Sequence, residues 1–158
     1  MRIRPVDDAD TESVLALNAE SVWALAPLDE ERLAWLRSMT RHALVCEVAG
    51  QVAGFALAFE PRTAYDSINY AWHAARFPDF LYLDRVAVST TYRRRGVATA
   101  LYDEMESQAA SHDRMVCEVN SDPPNEASLA FHRARGYREL GRLVQLDGHE
   151  VVLMEKPL

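Results

Sequence analysis

The stretch Phe80-Leu-Tyr-Leu-Asp-Arg-Val-Ala-Val88, followed by Ser-Thr-Thr-Tyr and then Arg93-Arg-Arg-Gly-Val-Ala-Thr99, decides the fold. Its first nine residues combine β-branched, aromatic and leucine side chains, the composition of a strand. Val97, Leu101, Met105 and Ala109 then recur at helical spacing. Between the two lies a turn of three arginines and one glycine. The first backbone N–H groups of a helix have no internal partners, and the helix dipole adds positive potential there. Gly96 and Ala98 let an anion approach the backbone, and Arg93, Arg94 and Arg95 add charge that pairs with phosphate oxygens. A solvated basic turn has the same composition, so the motif needs its surroundings.

Working outward, Met115 to Val119 is a second short strand and Asn125 to Arg135 a helix with Leu129 and Phe131 near its apolar face. Gly136 stops that helix as a C-cap. Tyr137 to Gln145 and Glu150 to Lys156 are two strands joined at Asp147-Gly148, a hairpin signal. Towards the N-terminus, Ala43–Val48 and Val52–Glu60 form another hairpin around Ala49-Gly50-Gln51. Met1–Val6 is a first strand. Asp7, Asp8 and Asp10 cap a helix that the spacing of Val14, Leu15, Leu17, Asn18, Val22 and Leu25 carries to about Leu25, before Pro27. Asp29 caps a second helix through Leu33, Leu36 and Met39. The order β-α-α-β-β-β-α-β-α-β-β implies a mixed sheet flanked by helices.

Pro61 to Asp79 reads as a long loop, polar and aromatic together, with Tyr65, Tyr70 and Trp72 in it. Such a loop lines a binding site or covers the core.

The chain has 158 residues, 49% of them apolar, with 17 basic and 24 acidic side chains for a net charge of -7. This describes one domain over residues 1–158 that buries roughly two-thirds of its unfolded surface. The acidic balance argues against a nucleic-acid partner, and no apolar run is long enough to cross a membrane. Cys46 and Cys117 lie in apolar segments without CxxC spacing, as reduced thiols do, and the N-terminus lacks a signal-peptide core; both point to the cytoplasm. His42, His73, His112 and His149 have no ligand-like spacing, so no metal is expected.

Two blocks carry a resemblance. Arg93-x-x-Gly96-x-Ala98 resembles the pyrophosphate-binding segment of the GCN5-related N-acetyltransferase (GNAT) superfamily. Asn125-x-x-Ser128-x-x-Phe131-His132-x-x-x-Gly136-Tyr137 resembles that superfamily's later strand–helix segment. FLYLDRVAV (80–88) and CEVNSDPPN (117–125) are also similar to a bacterial subgroup of it.

The resemblance implies a mixed α/β fold with a central sheet of about six to seven strands, about four flanking helices, and acetyl-CoA held between two splayed parallel strands. It implies that backbone groups of Val86, Ala87 and Val88 hold the pantetheine arm and thioester, and that Arg93, Arg94, Arg95, Gly96, Val97, Ala98 and Thr99 hold the pyrophosphate. Asn125 would touch the pantetheine side.

The implied reaction is N-acetylation: attack of an amine on the thioester of acetyl-CoA within a ternary complex. Glu118 matches the base of one branch, with pairing to an arginine as the alternative. Asp84 is the second candidate base, sharing a strand face with Tyr82. His132 stands where the family usually has a tyrosine that protonates the CoA sulfur; a histidine can donate there, or be a hydrogen-bonded structural residue. Tyr65, Tyr70, Trp72 and Tyr82 are expected to line the acceptor pocket, for a small-molecule or peptide amine. The last two strands could pair across a homodimer. A catalytically weak acyl-CoA-binding sensor is the rival, favoured by the histidine.

Overall fold

The computed structural model describes residues 1–158. Seven strands form one sheet in the order β1-β2-β3-β4-β5-β7-β6. They are β1 (Arg2–Pro5), β2 (His42–Val48), β3 (Gln51–Phe59), β4 (Leu81–Val88), β5 (Arg114–Asp122), β6 (Arg138–Val144) and β7 (Glu150–Pro157). Five helices accompany them: α1 (Thr11–Glu20), α2 (Glu30–Ser38), α3 (Ile68–Ala74), α4 (Val97–Gln108) and α5 (Glu126–Ala134). All neighbours are antiparallel except β4 and β5.

Local chemistry sets the boundaries. The Asp7 carboxylate accepts from the Ala9 amide and Asp10 from the Asp7 amide, while Asp10 is held by Arg4 at 2.6 and 2.8 Å. Asp29 caps α2 through the Arg32 amide at 2.7 Å. The β2–β3 turn is Ala49-Gly50, both at positive φ (51° and 78°), as a two-residue hairpin requires.

Two expectations are corrected. Helix α1 stops at Glu20, five residues before Leu25, because Asn18 turns its side chain to the Ala26 carbonyl (3.0 Å) and ties the chain beyond the helix into a loop. The segment 61–79 is not only loop. The Ser67 hydroxyl accepts from the Tyr70 amide (3.2 Å) and starts the seven-residue α3, which adds a fifth helix.

The sheet has a core on each face. On one, Leu81, Leu83, Met115, Cys117 and Val119 pack under Leu101, Tyr102 and Met105 of α4 and Leu129 of α5. On the other, Phe55, Phe59, Phe80, Tyr82 and Val116 pack under Val14 and Leu17 of α1, Leu33 and Leu36 of α2 and Tyr70 of α3. Gly54 permits the first contact. A Cβ there would stand 2.9 Å from both the Ala87 carbonyl oxygen and a Val97 methyl, so only glycine lets the start of α4 come this near the sheet.

Candidate active site

The parallel pairing of β4 with β5 is short. Only Leu81 faces Met115 and Tyr82 faces Val116; beyond them the strands diverge. β4 continues to pair with β3 as far as Val88 opposite Gly54. Val86, Ala87 and Val88 therefore spend one edge of their backbone on β3 and leave the other facing the gap. On the opposite bank, the imidazole of His73 in α3 reaches the Cys117 carbonyl at 3.3 Å.

The gap runs to the start of α4. Arg94 (φ 58°) and Gly96 (φ 83°) are both left-handed, which folds the arginine turn back on itself, and no side chain caps the helix. The free amides of Val97, Ala98 and Thr99 thus face outwards. A cleft of about 250 Å³ opens here, lined by Val88, Tyr92, Arg93, Arg94, Gly96, Val97, Ala98, Thr99 and Phe131. Arg95 does not line it; its guanidinium lies 5.7 Å from the Tyr92 ring centre. Phe131 was legible only as an apolar helix residue, since nothing in its spacing says that α5 presents it to the arginine turn. Asn125 caps α5, its side-chain oxygen accepting from the Ser128 amide at 3.2 Å, which leaves its NH₂ group as a donor.

On the other face of the sheet, β4 carries a bulge. Leu57 lies opposite Arg85 and Ala58 opposite Leu83, so Asp84 is an extra residue without a partner. The bulge puts Tyr82, Asp84 and Arg85 on the same side. Arg85 donates to Asp84 at 2.8 Å, to the Asn18 side chain at 3.1 Å and to the Ala26 carbonyl at 3.3 Å. Tyr65 donates to the other Asp84 oxygen at 2.7 Å. Both oxygens of Asp84 are therefore engaged, one by Arg85 and the other by the Tyr65 hydroxyl.

Glu118 lies in the middle of β5, pointing to the same side. Its Oε1 accepts from the Tyr82 hydroxyl at 2.7 Å; its Oε2 is buried without a partner. No arginine is bonded to it. Burial away from water pushes its pKa up from 4.5 to about 8, the nearby Asp84 adds to this, and the Tyr82 and Asn69 side chains oppose it.

His132 sits on the opposite face, among the rings of Tyr102, Phe131 and Tyr137. Its Nδ1 meets the Ser128 carbonyl at 2.7 Å, and a carbonyl only accepts, so Nδ1 carries the hydrogen. Nε2 then accepts from the buried Tyr102 hydroxyl at 2.7 Å. Burial lowers its pKa, so the ring stays neutral with both nitrogens engaged. Tyr102, the partner that decides this, had no signal of its own in the sequence. The structure does not bring His132 and Glu118 together.

The four aromatic residues expected at the acceptor pocket divide. Tyr65 stacks on Phe59 at 4.5 Å with its hydroxyl on Asp84. Tyr70 is buried with its hydroxyl donated to the Glu60 carbonyl (2.6 Å), which makes it a core residue. Tyr82 is fully buried and holds Glu118. Trp72 carries Arg76 over its ring at 3.4 Å and packs against Gly141 of β6. No three His, Cys, Asp or Glu side chains gather closely enough to hold a metal ion. No helix is long and apolar enough to cross a membrane.

The candidate site thus combines a diverging strand pair, a helix start with free amides at Gly96 and a carboxylate, Glu118, beside the strand opening. The chain belongs to the acetyltransferase (GNAT) family, whose model matches residues 9–137. Over 114 residues it is 30% identical to the L-2,4-diaminobutyric acid acetyltransferase of Nocardia farcinica, matching 72% of this chain and 52% of that one. The chain thus spans about half the length of this curated relative. Among solved structures, Ard1 of Thermoplasma volcanium superposes with a TM-score of 0.82 at 21% identity, over 99% of this chain and 97% of that one. The ribosomal-protein-alanine N-acetyltransferase of Brucella melitensis superposes with a TM-score of 0.72 at 25% identity, over the whole of both chains.

Proposed function

We propose that the protein transfers the acetyl group of acetyl-CoA to a primary amine of a small molecule or peptide, by direct attack while both substrates are bound. The observation that carries this reading is Glu118: a carboxylate fixed at one oxygen by Tyr82, with the other oxygen unpartnered, beside the gap between β4 and β5.

In this reading the free backbone edge of Val86, Ala87 and Val88 takes the pantetheine arm and thioester. The turn from Arg93 to Thr99 takes the pyrophosphate and Asn125 the pantetheine side. The fit rests on the uncapped start of α4 and the glycine-sized approach at Gly96, which suit an anion. Tyr65 and Trp72 flank the acceptor side.

The amine arrives as an ammonium ion. Glu118 Oε2 removes one proton, and a carboxylate with a pKa of about 8 is a far better match for this than an ordinary glutamate. The nitrogen lone pair then attacks the thioester carbonyl carbon, and collapse of the tetrahedral adduct breaks the C–S bond. CoA leaves as thiolate and takes its proton from solvent or from the amide nitrogen. His132 has no free N–H to supply. Asp84 shapes the field around Glu118 and, with both oxygens occupied, is not the base.

The engaged His132 favours the second reading, an acyl-CoA-binding sensor with little turnover. Isothermal titration with acetyl-CoA, followed by thiol release with a panel of amines, separates the two. Micromolar binding with release supports the transferase, and binding without release from any amine supports the sensor. Absence of binding overturns the cofactor assignment. The reading also places the protein in the cytoplasm as one domain. Edge strand β6 offers a line along which two copies would pair.

A further inference from the structure

Arg85 is a buried arginine inside a sheet strand, and strict alternation from Tyr82 along β4 would turn it to the α4 side, away from Asp84. The bulge at Asp84 prevents this. Beyond it Arg85 and Ala87 take the α1 side, while Val86 and Val88 take the α4 side. At 5% exposure the guanidinium must find its partners within the protein. Its Nε donates to Asp84 at 2.8 Å, and its Nη1 is shared between the Asn18 side-chain oxygen at 3.1 Å and the Ala26 carbonyl at 3.3 Å. Asn18 closes the triangle by donating to the same carbonyl at 3.0 Å.

Ala26 belongs to residues 21–29, which join α1 to α2 on the Glu118 side of the sheet. Little else holds this segment there. Val22 and Trp23 are 52% and 62% exposed, and Leu25 and Leu28 reach the core only partly buried. Its own turn bonds, from the Ala24 and Leu25 amides to the Ser21 carbonyl, are local and do not touch the sheet. Arg85 also meets the charge nearest Glu118. Tyr65 donates to Asp84 and Tyr82 to Glu118, both at 2.7 Å, and the two rings lie 6.3 Å apart between centres.

We infer that Arg85 is a positioning residue: it pins residues 21–29 to β4 and offsets the charge of Asp84, so that the acceptor-side segment and Glu118 are set by one joint. The inference rests on the reading of Glu118 as base.

The test uses the full chain and needs no acceptor. Arg85→Lys keeps the charge, but one compact ammonium cannot hold Asp84 and Ala26 together. Amide hydrogen exchange in 22–28 should speed up by at least about fivefold, with exchange in 97–108 and acetyl-CoA affinity unchanged. The second readout is the titration of Glu118, followed by NMR of isotope-labelled glutamate carboxyls and identified by its loss in Glu118→Gln. Burial is the main influence on this carboxyl; after it, Asp84 pushes it up and Arg85 pulls it down. Its midpoint should therefore fall in Asp84→Asn and rise in Arg85→Met, each by about half a unit or more. A tie that only held the fold together would not move the two in opposite directions. Should Arg85→Met fail to fold, the fall in Asp84→Asn carries this arm alone. Unchanged exchange in 22–28, or a rise across all helices alike, overturns the pin. A midpoint that stays in place in Asp84→Asn, or moves the same way in both variants, overturns the positioning role. Failure of wild type to bind acetyl-CoA would instead sink the transferase reading.

Discussion

The Tyr82 hydroxyl donates to Glu118 Oε1 at 2.7 Å, joining the last paired residue of β4 to a residue two positions past the last paired one of β5. The bond spans the place where the strands part. It favours the charged carboxylate and so opposes the burial that pushes Glu118 up. In Tyr82→Phe that opposition is gone, and the alkaline rise of the pH–rate profile should move up by about half a unit to one unit. A purely structural tyrosine would lower the rate equally at every pH.

Glu118→Gln removes the proposed base. Turnover should fall by about 10²–10⁴-fold while acetyl-CoA affinity stays within about twofold. Wild-type kcat/KM should rise with pH and level off above about 8, since only the deprotonated carboxylate accepts the proton. Stability runs the other way. Between 4.5 and about 8 the folded state keeps a proton that the unfolded chain has released, so folding weakens as pH rises through this window. Chemical denaturation of Glu118→Gln should lack that part of the decline.

Gly96→Glu puts a carboxylate at the uncapped start of α4 and forces a side chain onto φ 83°. Titration should show acetyl-CoA affinity down by at least about 100-fold, by repulsion of the pyrophosphate. Gly96→Ala has room, since the nearest atom to its Cβ would be a Met1 methyl at 3.9 Å. It should cost only the backbone strain, about 1–2 kcal/mol.

His132→Ala should behave as a core mutation. It empties a space among three aromatic rings and strands the buried Tyr102 hydroxyl, for a loss of about 2–4 kcal/mol in denaturant melts. Turnover of the folded fraction should change by less than about threefold. Burial holds the wild-type imidazole below 6.5, so the ring contributes stability above that pH and loses it as pH falls. The variant should lack that share of the acid-side loss.

Much of this was legible before any coordinates. Arg93, Gly96 and Ala98 announced an uncapped helix start of the kind that suits an anion, because the requirement is local: a small residue, a left-handed turn and free amides. Glu118 was legible as a position but not as an environment, since its enclosure comes from Tyr82, Asp84 and Asn69, each at least thirty residues away. Helix α3 was missed because its seven residues hold two aromatics, a β-branched isoleucine and an asparagine, weak helix formers whose helix is secured by Ser67 and by packing of Tyr70 and His73. For His132 the sequence leaves both a donor and a hydrogen-bonded structural role open, because it shows the ring but not the Tyr102 hydroxyl on the neighbouring helix.

The sheet also divides labour. Residues that would grip the nucleotide end cluster around the arginine turn and α5, and those around Glu118 belong to α1, α3 and the β6–β7 tip on the far side. The two sets share strands but pack with separate cores on opposite faces of the sheet. On the proposed function, acceptor choice can therefore diversify through 61–79 and the hairpin tip while the donor grip stays intact. Libraries built for new amines should randomise that side alone.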